Sequence, residues 1–328
     1  MMSVRYLPLW ITAALLCLLF GIGGWQFDGF ASLAVVSNLF SDNAFLLIVA
    51  LGMTLVIISG GIDLSVGAVI ALSGVAASLL ISQYQWHPLA AFALILPVAA
   101  LFGALMGVLI HVYKLQPFIV TLAGMFLARG LATTLSEESV AIDHSFYDAI
   151  AEFGFVLPGG GWVGASTMIF IVLLLLVIVL MHYSRFGTYV YALGGNSQSA
   201  ELMGVPVART TIAIYVLSSV LAALAGIVFT FYTFSGYALA GVGMELDAIA
   251  AVVIGGTLLT GGSGFVIGTV LGVLLMGVIQ TYIIFDGSLS SWWTKIVIGL
   301  LLFGFIVLQK LLSRRTALTT AARSTAHG

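Results

Sequence analysis

The sequence predicts an all-α polytopic membrane protein with about ten transmembrane helices and both termini in the cytoplasm. Of its 328 residues, 62% are hydrophobic and only 7% are charged, whereas a soluble domain carries about a quarter charged residues. Apolar stretches long enough to cross a bilayer as helices, about 20 residues, recur along the chain. Basic residues lie at alternate ends of these stretches, as the positive-inside rule requires.

The predicted spans alternate across the membrane along the whole chain. They cover residues 7–24, 44–59, 68–81, 89–112, 118–135, 165–181, 211–234, 246–259, 266–284 and 292–308. Arg5, Lys114, Arg185 and Arg209 then fall on the inner side, together with the basic residues after the last span. Pairs of glycines four residues apart, Gly103/Gly107 and Gly268/Gly272, predict close helix contacts.

The two ends of the chain need separate interpretation. Residues 7–24 are compatible with a signal peptide or with a retained helix, and the lack of an A-x-A cleavage site favours the helix. We assign residues 1–312 to one transmembrane domain. Residues 313–328 are expected to form a short, disordered cytoplasmic tail.

Several functions are excluded by what the sequence lacks. Ten basic residues scattered at span ends make no basic face for nucleic acid, and the single Cys17 excludes an internal disulfide. No GxxxxGK[ST], HExxH, GxSxG or CxxC motif occurs, so we expect no enzyme activity, no metal site and no cofactor in this chain. If transport is driven by ATP, another chain must bind the nucleotide.

Two glycine-rich breaks are predicted to interrupt helices, near residues 60–67 (GGIDLSVG) and 260–264 (TGGSG). Interrupted helices in both halves of a membrane protein often surround a transport path. The two breaks have similar sequences, which predicts an internal repeat. Chance spacing of small residues explains this similarity equally well.

Asp63, in the first break, is the only acidic residue flanked on both sides by long apolar sequence. A charge in mid-membrane costs about 2.5–3.5 kcal/mol on insertion scales, so such residues line a cavity or make structural pairs. One interpretation is a hydroxyl-binding group on a path. The favoured one is a helix cap that accepts hydrogen bonds from amides near Ser65 and Val66, and the two roles are compatible.

Three other charged residues lie in or beside spans. Glu245 and Asp247 are typical of the negatively charged first turn of a helix. Arg129, inside a span, is expected to have an internal partner, which the sequence does not name.

Residues 185–209, which we call the inner loop, contain a short predicted helix between two spans. Asn196 or Ser197 can accept its free amide hydrogens, Gly204 ends it, and Pro206 prevents its continuation. A loop that only turns around needs no capped helix, so we interpret it as a surface that another protein binds. Ala200 and Met203, three residues apart, are expected to form its apolar face. The predicted surface comprises Gly194, Gly195, Asn196, Ser199, Ala200, Glu201, Met203 and Gly204.

Four segments of the chain resemble the permease subunits of bacterial ABC importers for monosaccharides of the ribose, xylose and galactoside type. They read GMTLVIISGGIDLSVGAVIALSG, VTLAGMFLARG, YALGGNSQSAELMGV and ELDAIAAVVIGGTLLTGGSG, and the resemblance runs from about residue 38 to about residue 308. EESVAIDHSFYD and DGSLSSWWTKIVIGLLLF are similar to one of the two non-identical permeases of the galactofuranose importer.

The resemblance implies import of a monosaccharide, galactofuranose, across the bacterial inner membrane. It also implies three protein partners: an ATPase with two fused nucleotide-binding halves, which holds ATP and magnesium, a second homologous permease and a periplasmic sugar-binding protein. The segment YALGGNSQSAELMGV would dock into the ATPase. The alternatives are an ion-coupled secondary sugar transporter, for which a single Asp63 is thin support, and a scaffolding subunit without a path of its own.

A monosaccharide has many hydroxyl groups and no charge, so its path needs neutral hydrogen-bonding groups and aromatic faces. The candidates are Asn43, Phe45, Thr54, Asp63, Gln280 and Tyr282. Helix-to-helix hydrogen bonds and aromatic packing are competing explanations for them. We expect Asn43 and Gln280 to face a cavity at the interface with the second permease.

The outer loop, residues 137–161, has no Lys or Arg. Its acids, Glu137, Glu138, Asp143, Asp148 and Glu152, are predicted to contact the sugar-binding protein through weak surface pairs. Simple exclusion of positive charge from an outer loop is an equally good explanation.

Overall fold

The computed structural model describes residues 6–290 and 292–325, with side chains described as far as residue 310 except at 291. Its helices are α1 (Leu7–Gln26), α2 (Leu33–Asp42), α3 (Ala44–Ile58), α4 (Val66–Ser78, continued by a π-helical turn Leu79–Gln83), α5 (Pro88–Val112), α6 (Pro117–Leu135), α7 (Ser145–Glu152), α8 (Ala165–His182), α9 (Arg185–Gly195), α10 (Ser197–Leu202), α11 (Val207–Thr233), α12 (Met244–Ile254), α13 (Val266–Asp286) and α14 (Trp292–Thr325). Four short strands are β1 (Val140–Ala141), β2 (Gly154–Val156), β3 (Trp162–Gly164) and β4 (Ser235–Gly236). The predicted all-α polytopic fold is confirmed.

The described residues contain eight helices long and apolar enough to cross a membrane, or nine if α2 and α3, bent by 57°, count as one span. The eighth predicted span, residues 246–259, is replaced by the 11-residue α12 and an irregular segment. At 1.5 Å per residue α12 is about 16 Å long, too short for a hydrocarbon core of about 30 Å. The glycines after Ile254 explain the early end of this helix.

The core is built on α11, which packs against α3, α4 and α5. In α4, α11 and α13, 61–72% of the spanning residues are buried, against 17–28% in α1, α5, α6, α8 and α14. The second group forms an outer shell whose apolar side chains suit lipid. The predicted close contacts are present: Gly103 and Gly107 lie against the backbone of α11, and Gly268 and Gly272 against that of α12.

The outer loop is folded rather than extended. β1 pairs antiparallel with β4, and β2 pairs antiparallel with β3. Tyr147 anchors α7, because its side chain is 1% exposed and its hydroxyl lies 3.0 Å from Thr230 Oγ1. Burial raises the pKa of Tyr147 to about 12, so the phenol keeps its proton at neutral pH and can donate to Thr230.

The end of the chain differs from the expected disordered tail, since α14 continues to Thr325. The alanines in residues 313–325 favour a helix. Residues 326–328 and Arg5 lie outside the described residues, and the division between domain and tail stays a prediction.

Candidate functional site

The first break lies between α3 and α4 and is held by Asp63, which is fully buried. Its Oδ1 accepts hydrogen bonds from the Ser65 amide (2.9 Å) and the Ser65 hydroxyl (2.6 Å). Its Oδ2 accepts one from the hydroxyl of Ser218 on α11, at 2.7 Å. Asp63 therefore shapes the turn before α4, as the cap interpretation predicts, and also ties the break to the central helix. Ser65, rather than Asp63, is the residue that directly precedes α4.

The second break lies between α12 and α13 and uses its own backbone to turn. Gly261 donates to the carbonyl of Leu258 at 3.0 Å, and Leu258 donates to that of Ser263 at 3.0 Å. Helices at both ends of the chain close over it. The Thr12 hydroxyl of α1 donates to the carbonyl of Ile254, and Gln309 of α14 donates to that of Thr257 at 3.2 Å.

The two breaks meet on the inner side of the molecule. The amide of Gly262 donates to the carbonyl of Ile58 at 2.8 Å, and the end of α9 packs on both at Gly194 and Gly195. The sequence predicts the breaks but not their contact. The internal repeat stays a prediction.

The inner loop contains the predicted short helix, α10, and its predicted cap. Asn196 Oδ1 accepts the amide of Ser199 at 2.8 Å, and Gly204, with φ of 82°, ends the turn. The predicted apolar face of Ala200 and Met203 is wrong: Ala200 is fully buried, whereas Met203 is 73% exposed. Three helical positions differ by about 60° in direction, and Met203 already lies beyond the helix end.

The loop therefore presents a different surface from the expected one. Its exposed apolar tip is formed by Leu202, which is 90% exposed, and Met203. Of the other predicted surface residues, Gly195, Asn196, Ser199, Glu201 and Gly204 are exposed, and Gly194 is half-buried. Sequence reasoning missed Leu202, although it lies next to Met203 in the same turn.

An outer cavity of ≈320 Å³ brings together two predicted path residues, Asn43 and Gln280. Its wall also contains an ion pair in which Lys295 Nζ lies 2.6 Å from Asp247 Oδ1. Sequence reasoning interpreted Asp247 only as a first-turn acid and missed Lys295. The signal for Lys295 is its position, because a lysine at the outer end of a span goes against the positive-inside rule.

The other path candidates lie elsewhere. Thr54 is buried between α3 and α13 with its hydroxyl 2.6 Å from that of Thr269. Phe45 packs edge-on against Phe229, with ring centroids 5.0 Å apart. Tyr282 donates to the side-chain oxygen of Gln26 at 2.5 Å. For Thr54, Phe45, Tyr282 and Asp63, contact with sugar stays a prediction.

An inner cavity of ≈430 Å³ lies between the breaks and the inner loop. Its polar lining comes from five segments and includes Ser59, Lys114, Asn196, Ser197, Thr211, Tyr215 and Thr260. Tyr215 is buried, and its hydroxyl has no hydrogen-bond partner among the described residues. A hydroxyl in that state has unused capacity to donate and to accept a hydrogen bond.

The charged residues of the outer loop and Arg129 are either exposed or hydrogen-bonded to the backbone. All five acids of the outer loop are exposed. Arg129 has the expected internal partners, because its guanidinium donates to the carbonyls of Ala238 (2.5 Å) and Ala240 (2.7 Å) just before α12. Arg129 thus fixes the backbone that leads into the short helix.

Residues 35–306 match the family model described as the permease component of a branched-chain amino acid transport system. The chain belongs to this permease family. The inner membrane ABC transporter permease protein YjfF of Escherichia coli K12 is 55% identical over 309 residues, covering 94% of this chain and 93% of that protein. The fructose import permease FruG of Bifidobacterium longum is 40% identical (93% and 91% covered), and the ribose import permease RbsC of E. coli K12 is 38% identical (79% and 80%). No solved structure matches the chain.

These relatives confirm the coarser part of the sequence resemblance. The chain is a multi-pass inner-membrane permease of the sugar ABC importer family. Permeases of this family work with an ATPase and a periplasmic binding protein, so ATP hydrolysis belongs to a partner chain.

Proposed function

We propose that this chain is one of two non-identical permeases that together import galactofuranose. The sugar arrives on a periplasmic binding protein, and the transport is driven by an ATPase with two fused nucleotide-binding halves. The observation that carries the proposal is the position of the inner loop, which has an exposed apolar tip and packs on both helix breaks. The segments EESVAIDHSFYD and DGSLSSWWTKIVIGLLLF support galactofuranose as the sugar.

The docking part of the proposal rests on Leu202 and Met203. Two large apolar side chains, 90% and 73% exposed, lie at the tip of a polar inner loop. Exposed apolar side chains rimmed by polar groups are typical of protein interfaces. Glu201 and Asn196 supply that polar rim and remain candidates for direct contact.

The path part of the proposal rests on the two cavities. Each has a volume within the usual range of small-molecule sites, about 300–1,000 Å³, and each has neutral hydrogen-bonding groups in its wall. Asn43 and Gln280 would receive the sugar on the outer side. Tyr215 and Thr211 would bind it before release on the inner side.

The outer acids are proposed to guide the binding protein. All five are exposed on a loop that β1, β4 and Tyr147 hold in place. A fixed patch of one sign of charge favours a partner with exposed Lys or Arg, mainly through the association rate.

The test is sugar uptake into proteoliposomes that contain this chain, the second permease, the ATPase and the binding protein. Uptake of labelled galactofuranose is compared with that of ribose and fructose. We expect galactofuranose uptake that requires ATP and all four proteins. Uptake that survives ATP depletion but collapses with the proton gradient would support the secondary transporter instead, and a preference for ribose or fructose would correct the substrate.

A further inference from the structure

Five glycines bring three separate segments into backbone contact on the inner side. Gly60 belongs to the first break, Gly261 and Gly262 to the second, and Gly194 and Gly195 to the end of α9. We call these five residues the glycine junction. α10 and the exposed tip of the inner loop follow α9 directly.

The contacts at Gly194, Gly261 and Gly262 leave no room for side chains. A Cβ atom at Gly194 would overlap the carbonyl oxygen of Ile58 and lie 2.5 Å from the amide nitrogen of Gly262. A Cβ at Gly261 would lie 2.8 Å from the Cα of Gly60, and Gly261 also has a φ of 82°. Only glycine permits such an approach of backbones.

Gly130 on α6, outside the inner loop, is different. A Cβ atom built there would meet no described atom within 4 Å. Alanine also favours helix formation more strongly than glycine does. The chain therefore offers two helical glycines for comparison, one packed against both breaks and one with open space beside it.

Two hydrogen bonds strengthen the same contact. Gly262 donates to the carbonyl of Ile58, which joins the breaks to each other. The hydroxyl of Tyr191 on α9 donates to the carbonyl of Gly264 at 2.8 Å, which joins α9 to the second break. Packed backbone that lacks flexible side chains is poorly compressible, so a displacement on one side is passed to the other.

We infer that Gly194 is a positioning residue through which the inner loop moves both helix breaks together. When the ATPase shifts the inner loop, α9 shifts with it, and its contact at the glycine junction displaces Ile58 and Gly262 in concert. The inner cavity, whose wall contains residues of both breaks and of the loop, changes shape as a result. This inference rests on the proposed docking of an ATPase on the loop.

The test compares Gly194→Ala with Gly130→Ala in the complete complex. We expect Gly194→Ala to lower uptake and the ATP hydrolysis stimulated by the loaded binding protein about tenfold, within the range of coupling mutations. The ATPase should still co-purify with this variant, and Gly130→Ala should behave like wild type. Tyr191→Phe, which keeps the ring and removes only the bond to Gly264, should give a smaller loss of the same kind and serves if Gly194→Ala does not insert.

A second measurement separates the junction from the transport cycle. Amide hydrogen exchange in the purified permease should quicken about tenfold at residues 58–61 and 258–264 in Gly194→Ala, because these segments open locally. Normal activity of Gly194→Ala, equal losses in both alanine variants, or unchanged exchange at both breaks would overturn the inference. If the wild-type complex shows no ATP-driven uptake, the proposed function fails, whereas the exchange result still decides whether Gly194 holds the breaks.

Discussion

Replacing Asp63 tests how the first break is held, because this one buried side chain accepts three hydrogen bonds there. Asp63→Ala removes the acceptor for the Ser65 amide, the Ser65 hydroxyl and the Ser218 hydroxyl. Each buried donor left without a partner costs about 1–3 kcal/mol, so for three donors we expect a loss of roughly 3–9 kcal/mol in the free energy of unfolding. Asp63→Asn keeps one oxygen for Ser65 and offers an amide to the Ser218 oxygen, so its loss should be only about 1 kcal/mol.

The measurement is the unfolding midpoint of the purified permease in detergent. Ser219→Ala is the matched control: Ser219 neighbours Ser218 on α11, is fully buried, and its hydroxyl has no hydrogen-bond partner among the described residues. It should be neutral or slightly stabilising. Equal stability of Asp63→Ala and wild type would refute the structural role. An Asn variant as unstable as the Ala variant would show that the charge, rather than the hydrogen bonds, matters.

Three further predictions concern the surfaces. Met203→Asp should weaken ATPase binding about tenfold or more without changing the unfolding midpoint, because Met203 is exposed; Ala200→Arg, at a fully buried site, should instead lower that midpoint. Both are read by co-purification and thermal unfolding, and unimpaired docking of Met203→Asp would contradict the proposed tip. Cysteines at Asn43 and Gln280, with the native cysteine replaced, should react with thiol reagents from outside in a manner that changes when ATP is trapped on the complex. A cysteine at the buried Thr54 should not react, and silence at all three sites would remove the outer cavity from the path. Neutralising the five outer acids should reduce binding-protein association more at low than at high salt, and an unchanged salt dependence would count against their role.

Much of the fold follows from local sequence, since apolar length, basic residues and glycine breaks each act within a few residues. The cap of α10 at Asn196 was predictable for the same reason, because a cap needs only its own turn. The number of complete membrane spans was less predictable than this cap. α12 ends at the local glycine signal, where Gly256 has a φ of 95°, but the close packing of Gly255 on Gly268 of α13 is a tertiary contact that no local pattern reveals.

The candidate site was predictable where it depends on residue type and not where it depends on packing. Asn43 and Gln280 were chosen as uncharged hydrogen-bonding groups and do share a cavity. Ala200 and Met203 were grouped by spacing alone, yet the direction that buries Ala200 is set by the neighbouring helices α9 and α11. The partnership of Lys295 with Asp247 joins residues 48 positions apart, which no local pattern reveals.

The seal that α1 forms over the second break has a consequence for how the protein is made. Thr12 bonds to a carbonyl that lies 242 positions later in the chain, and Pro8 and Leu9 pack beside Gly256. The ribosome therefore synthesises α1 long before the segments that it packs against. This helix can reach its final position only after α12 and α13 have been inserted. Backbone left open to lipid costs several kcal/mol for each unpaired group, so final closure of the fold is a late event of biogenesis.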